Sequence, residues 1–221
     1  MSRPALERAE VDPPTSAFRW IACGDSFTAG LEPGGSWTDI VAAELGPDRP
    51  AELTNVAVAG ATAAMVEADQ LPWAVAAGPD LVSLICGGND VIGAVRPRPH
   101  ELAADLGRAF GRLAAELPDA QLLTATYPPI AADALRPRTR RRISQGMEAL
   151  NEVIREAADR AGFTCVELHD HPGRADRSNY AADGIHPSPA GQRAAATVLG
   201  PVIETLMNDD GNATDIAEEE Q

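Results

Sequence analysis

The segment FRWIACGDSFTAG, residues 18–30, joins two kinds of chain. Its first half, FRWIAC (18–23), is short and apolar enough for a buried strand. Its second half is small and polar, and Ser26 follows two residues after the glycine that ends the strand. A helix start or tight turn there would expose backbone N–H groups. The first pattern recurs in ELTNVAV (52–58), DLVSLIC (80–86), QLLTATY (121–127) and FTCVEL (163–168). Helical stretches lie between these runs, the clearest being TRRRISQGMEALNEVIREAADRAG (139–162). In it Ile143, Met147, Leu150, Ile154, Ala157 and Ala161 recur at spacings of four and three, and Gly162 supplies a stop. A last helix is expected from about Ser188 or Pro189 to Met207. Five strands alternating with helices imply an α/β fold whose parallel sheet is covered on both faces.

Composition bounds the rest. A chain of 221 residues fits one well-buried domain, and 44% hydrophobic residues suit a globular core. No apolar run is long enough to cross a bilayer, so stable membrane insertion is not expected. The opening MSRPALERAEVDPPTSAF carries charges where a signal peptide needs an apolar stretch, which makes the cytoplasm the expected location. Residues 1–16 read as a flexible segment, 17–207 as the folded domain, and 208–221, with six acids and little apolar content, as an acidic disordered tail. Cys23, Cys86 and Cys165 each lie in an apolar segment, and an odd count without paired spacing argues for buried thiols. A net charge of -15 argues against nucleic acid as a partner, because phosphate needs cations.

In open α/β sheets ligands bind beyond the carboxyl ends of the strands. The segments that fall there are GDSFTAG (24–30), AGAT (59–62), GGND (87–90) and, after the fifth strand, DGIHPSPAG (183–191). Pro187 and Pro189 fix their own φ and bias His186 and Ser188 toward extended conformations, so this last loop is stiff. A stiff loop suits a histidine that must point one way. A serine hydroxyl is a weak nucleophile until a base takes its proton, and His186 is the base available to Ser26. Asp183 would orient the imidazole and stabilise its protonated form. The N–H of Ser26, the N–H of Gly60 and the side-chain amide of Asn89 are candidate donors to the oxyanion that attack on a carbonyl creates.

These blocks resemble the SGNH or GDSL-type serine hydrolases over roughly residues 18–207. GDSFTAG is similar to the first block of that family with Phe27 in place of the usual leucine. NVAVAGAT resembles the block that carries the glycine, GGND the G-x-N-D block, and DGIH the terminal D-x-x-H, all in the family's order. The resemblance implies Ser26 as nucleophile, Gly60 and Asn89 as oxyanion donors, Asp183 as orienter and His186 as base. It also implies a three-layer α/β/α sandwich with a five-stranded parallel sheet, flavodoxin-like in strand order, and no cofactor. The activity it implies is cleavage of a carboxylic ester through an acyl-enzyme, by an esterase or lipase-like enzyme or one that deacetylates a sugar. Phe27 is expected to pack under the nucleophile turn.

Other readings compete for some residues. Ser26 alone could be a helix N-cap, Asp183 an Asx-turn residue and Asn89 a loop support. Asp25 and Asp90 read as hydrogen-bonding supports for the turns beside them. His169, Asp170, His171 and Asp176 suggest a metal, but their spacing lacks a helical H-x-x-x-H pair or a thiolate, so no metal site is expected. Cations at a helix start oppose its dipole, and RPRTRRR (136–142) reads as a solvated face, with an anionic substrate group as the sharper alternative. Arg96 and Arg98 lie nearer the crevice and are candidates to touch substrate. The expected pocket rim comprises residues 31–37, 91–100, 128–140 and 169–181, with Trp37, Trp73 and Tyr180 as pocket walls or core. A catalytically idle module that binds an acylated sugar or lipid is the rival class. A nucleotide-binding domain is more distant, since GLEPGGS (30–36) lacks a phosphate-loop lysine.

Overall fold

The computed structural model describes residues 17–46, 50–94, 98–131, 133 and 135–215, without the side chains of Ala175 and of 210–215. Five strands form one sheet: β1 (Phe18–Gly24), β2 (Ala51–Asn55), β3 (Leu81–Ile85), β4 (Gln121–Ala125) and β5 (Thr164–Val166). All neighbours pair in parallel, in the order β2-β1-β3-β4-β5. That is the flavodoxin-like order, whose switch point lies between β1 and β3. The strands are shorter than the apolar runs at residues 52–58 and 163–168, ending at Asn55 and Val166, although the N–H groups of Val56 and Val58 still donate to the Ala22 and Gly24 carbonyls of β1 at 2.9 and 3.1 Å.

The helices are α1 (Ser26–Ala29), α2 (Trp37–Glu44), α3 (Ala63–Met65), α4 (Leu71–Ala77), α5 (Gly88–Ile92), α6 (Pro99–Glu116), α7 (Pro137–Ala161) and α8 (Pro189–Asp215). A π-helical turn, Val66–Gln70, joins α3 to α4. Helices α2 and α8 pack together on one face of the sheet, and α6 and α7 on the other, with α4 against α6. The result is a three-layer α/β/α sandwich. Every residue of β3 is buried, as a central parallel strand requires. The apolar stripe of α7 behaves as its periodicity predicts: Ile143, Met147, Leu150, Ile154 and Ala157 are buried, and Gly162 closes the helix in the left-handed conformation.

Helix α8 continues to Asp215, past the Met207 end expected of it and into the acidic stretch. Met207 is still the last of its described side chains in the core. Residues 1–16 and 216–221 lie outside the described residues.

Parallel register aligns the strand ends that carry the short polar segments. Gly24 of β1 pairs with Ile85 of β3, and the N–H of Asp25 donates to the Ile85 carbonyl at 3.3 Å. A Cβ on Gly24, whose φ is +148°, would lie 2.2 Å from that carbonyl oxygen. Glycine is therefore required for the two chain ends to approach, and the approach sets Ser26 beside the GGND turn.

Candidate active site

Ser26 opens α1, a single turn capped by Asp25. One Asp25 carboxylate oxygen, Oδ1, accepts the N–H of Phe27 at 3.0 Å, and the other, Oδ2, accepts the Tyr127 hydroxyl at 2.7 Å. Asp25 is 2% exposed and Ser26 8%. Gln70 receives the Gly24 N–H at 2.8 Å and donates to the Gly24 carbonyl at 2.9 Å, and Gln192 of α8 donates to the Phe27 carbonyl at 3.2 Å. Phe27 packs beneath the turn, edge-on to Tyr127 with ring centroids 5.9 Å apart. Among the described residues the Ser26 hydroxyl makes no hydrogen bond to another protein group.

Asp183 and His186 meet at 2.6 Å between Oδ2 and Nδ1. The second carboxylate oxygen accepts the N–H of Ile185 at 2.8 Å and of His186 at 3.1 Å, so one side chain makes both the Asx-turn and the contact to the imidazole. Burial works to raise the Asp183 carboxyl, but the His186 side chain and these two backbone donors outweigh it and hold the group below its ordinary value. The loop is tied to its neighbours by Ala181 N–H to the His186 carbonyl at 2.8 Å and Ala131 N–H to the Gly184 carbonyl at 2.8 Å. Tyr180 adds a clamp by donating to the Pro129 carbonyl at 2.7 Å.

Ser26, Asn89 and His186 line one cavity of about 90 Å³ whose other walls are mostly apolar, among them Phe27, Ile92, Met147, Leu168, Ile185 and Val198. Asn89 donates from its side-chain amide to the Ala61 carbonyl at 3.0 Å, and Asp90 receives the Ala63 N–H at 2.9 Å. The GGND turn and the AGAT loop are thereby bound to each other. Gly60 stands outside the lining, exposed, in the left-handed conformation with φ +82°. Among the described residues neither its N–H nor that of Ser26 donates to another protein group.

The expected rim is right in part. Pro128 and Ile130, then His171, Gly173, Arg174, Asn179 and Tyr180, line the cavity, whereas none of residues 31–37 does. Trp37 is instead fully buried against Trp20, Trp73 is half-exposed on α4, and only Tyr180 of the three reaches the site. Residues of α8, Ala194, Ala195 and Val198, form a wall that the sequence reading did not anticipate. Arg96 lies outside the described residues. Arg98 pairs with Glu101 at 3.0 Å, and with Arg138, Arg141 and Arg142 it lines a separate groove beyond α5. Arg140 pairs with Asp133 at 2.9 Å.

His169 and His171 have separate tasks. His169 Nδ1 faces the Asn151 amide at 3.1 Å, and His171 Nδ1 accepts the Gly173 N–H at 3.1 Å. Among the described residues no three His, Cys, Asp or Glu side chains are grouped to hold a metal ion. Burial pushes the thiols up, Cys23 to about 12 and Cys165 to about 11, and Cys86 is raised as well. Cys165 is only half-buried, and none of the three forms a disulfide.

The sequence reading missed Tyr127, Gln70, Asn151 and Gln192. Asn151 had a readable signal, since it lies in phase with Met147 and Ile154 on the buried stripe. Its amide brackets Tyr127, accepting the backbone N–H at 2.8 Å and donating to the carbonyl at 2.9 Å.

Comparison with known proteins came out consistently. The crystal structure of TesA is similar, 26% identical, with TM-score 0.67, over 85% of this chain and 99% of that one. A lipase/acylhydrolase from Enterococcus faecalis is 19% identical, with TM-score 0.70, over 88% and 96% of the two chains. Axe2, an acetylxylan esterase from Geobacillus stearothermophilus, is 20% identical, with TM-score 0.68, over 82% and 92%. The last two likenesses establish the fold. No match was found among curated proteins. No helix among the described residues is long and apolar enough to cross a membrane. The sequence pattern of the GDSL-like Lipase/Acylhydrolase family matches residues 22–194, and the chain therefore belongs to that family of ester-bond hydrolases.

Proposed function

We propose that the protein cleaves a carboxylic ester with an aliphatic acyl group through an acyl-enzyme on Ser26, with His186 as base and Asp183 as its orienter. The observation that carries this reading is the 2.6 Å Asp183–His186 pair opening onto the same apolar cavity as the unengaged Ser26 hydroxyl. Because Nδ1 faces Asp183, Nε2 is the nitrogen left to act on substrate. It removes the Ser26 proton as Oγ attacks the carbonyl carbon, then returns that proton to the departing alcohol. Water repeats the cycle on the acyl group and frees the acid. The oxyanion of each tetrahedral intermediate is received by the N–H groups of Ser26 and Gly60 and by the Asn89 amide, each such donor contributing about 3 kcal/mol.

The absence of a Ser26–His186 hydrogen bond is the one observation that favours an idle binding module for an acylated sugar or lipid. Catalytic hydrogen bonds are often open before substrate arrives, so it counts for little against the intact residue set. The deciding experiment is hydrolysis of p-nitrophenyl esters, acetate through octanoate, by wild type and Ser26→Ala. Wild-type turnover with a loss of at least about 10³-fold in the folded variant is expected. Equal rates, or an inert wild type, would bring the binding module to the front.

A further inference from the structure

Asp25 is a buried acid with no assigned part in this chemistry, and it adjoins the nucleophile. We propose that Asp25 and Tyr127 are positioning residues, with Tyr127 holding an ionised Asp25 carboxylate that fixes the Ser26 turn and favours the imidazolium that His186 becomes. The inference rests on the reading of Ser26 as nucleophile and His186 as base.

Four observations support it. The carboxylate is fully committed, one oxygen to the Phe27 N–H at 3.0 Å and the other to the Tyr127 hydroxyl at 2.7 Å. Tyr127 cannot easily drift, because Asn151 holds both its backbone N–H and its carbonyl. The fit is tight: a Cβ on Gly88 would lie 3.3 Å from both Asp25 Oδ2 and the Tyr127 ring. Asp25 and His186 also line the same cavity as Ser26. His186 draws Asp25 toward ionisation, Asp90 of α5 opposes, and Cys86 at the end of β3 is held as a neutral thiol. Burial dominates and pushes the carboxyl up to about 6, against the Tyr127, Phe27 and His186 contributions.

A buried carboxylate is expensive to keep charged unless donors satisfy it, and here both oxygens have one. What His186 does for Asp25 is reciprocal. An ionised Asp25 stabilises a protonated His186, the species formed when Ser26 gives up its proton. Two carboxylates then serve one imidazole, Asp183 by direct contact and Asp25 from beneath the nucleophile.

The test is the rate at which a fluorophosphonate labels Ser26, from pH 4.5 to 9, in wild type, Asp25→Asn and Tyr127→Phe, with Ser26→Ala as control and the melting temperature of each. Asparagine caps a helix as well as aspartate, and phenylalanine keeps the ring contact, so both folds should persist. Asp25→Asn should label at least about tenfold more slowly, and its acid limb should lose one ionisation and become shallower. Tyr127→Phe should move the acid limb to higher pH, because the lost hydroxyl had favoured the charged form. A folded pair of variants with wild-type rates and wild-type limbs would overturn the proposal, since a merely structural role leaves the pH profile unmoved. Should one variant fail to fold, the other decides alone. Labelling of Ser26→Ala equal to wild type would sink the nucleophile reading and this inference with it, whereas an inert Ser26→Ala beside unchanged Asp25→Asn and Tyr127→Phe would sink only this inference.

Discussion

The turn that carries Ser26 and the loop that carries Asp183 and His186 are built on different plans. Residues 24–30 are held by long-range partners: Gln70 on Gly24, Tyr127 on Asp25 and Gln192 on Phe27, all buried. The loop that carries Asp183 and His186 is held by itself and its neighbours, through backbone hydrogen bonds, two prolines and the Asx-turn, with the two side chains 46% and 32% exposed. One region owes its geometry to buried side-chain partners from distant elements, the other chiefly to local hydrogen bonds and chain stiffness, with long-range ties from Ala131 to the Gly184 carbonyl and from Tyr180 to the Pro129 carbonyl. Substitution in the first should therefore damage stability and activity together, and substitution in the second should damage activity alone.

Asp183→Asn presses hardest on the second half of that statement. It keeps the shape but cannot balance the imidazolium, and an amide can favour the wrong tautomer, so kcat should fall by roughly 10³- to 10⁴-fold. The melting temperature should move by less than about 3 °C, since the partners are exposed and the pair is screened. Steady-state kinetics and a thermal melt on the same sample decide it. A large fall in melting temperature would show that the loop is part of the core's cooperative unit after all.

Gly24→Ala presses on the first half. The new methyl would meet the Ile85 backbone oxygen, which no rotamer change can relieve, at a φ that side chains rarely adopt. A loss of about 4 kcal/mol or more is expected in urea unfolding, at the exceptional end for one substitution. Near-wild-type stability would mean that the β1–β3 approach can relax without cost.

The same contrast explains what the sequence disclosed. The strands, the buried stripe of α7 and the pairing of Asp183 with His186 rest on neighbours in the chain, and periodicity or spacing reveals them. The convergence of Ser26, Asn89 and His186 on one cavity followed from topology, because a parallel sheet sends its strand ends to one edge. The partners of the turn that carries Ser26 were illegible for the complementary reason. Gln70 lies 46 residues from Gly24 and Tyr127 lies 102 from Asp25, and nothing local marks either. Residues 31–37 failed as a pocket rim because the Ser36 cap and the burial of Trp37 turn the segment toward α2 and α8.

Charge gives the smallest effect and separates the regions by sign. Asp25, raised to about 6 from 3.8, holds its proton more tightly folded than unfolded, so its contribution to stability is full below pH 3.8 and is lost as pH rises through about 6. The stability of wild type relative to Asp25→Asn should therefore fall between pH 4 and 7, by on the order of 3 kcal/mol. Asp183 is shifted the other way: its contribution is present above 3.8 and is lost as pH falls through its lowered folded value. Wild type relative to Asp183→Asn should lose stability only below pH 4, and by less, because solvent screens the exposed pair. Urea midpoints of the three proteins across pH 3 to 7 give both differences. If the two curves slope the same way with pH, the buried turn and the exposed loop do not differ electrostatically, and the contrast between them reduces to packing alone.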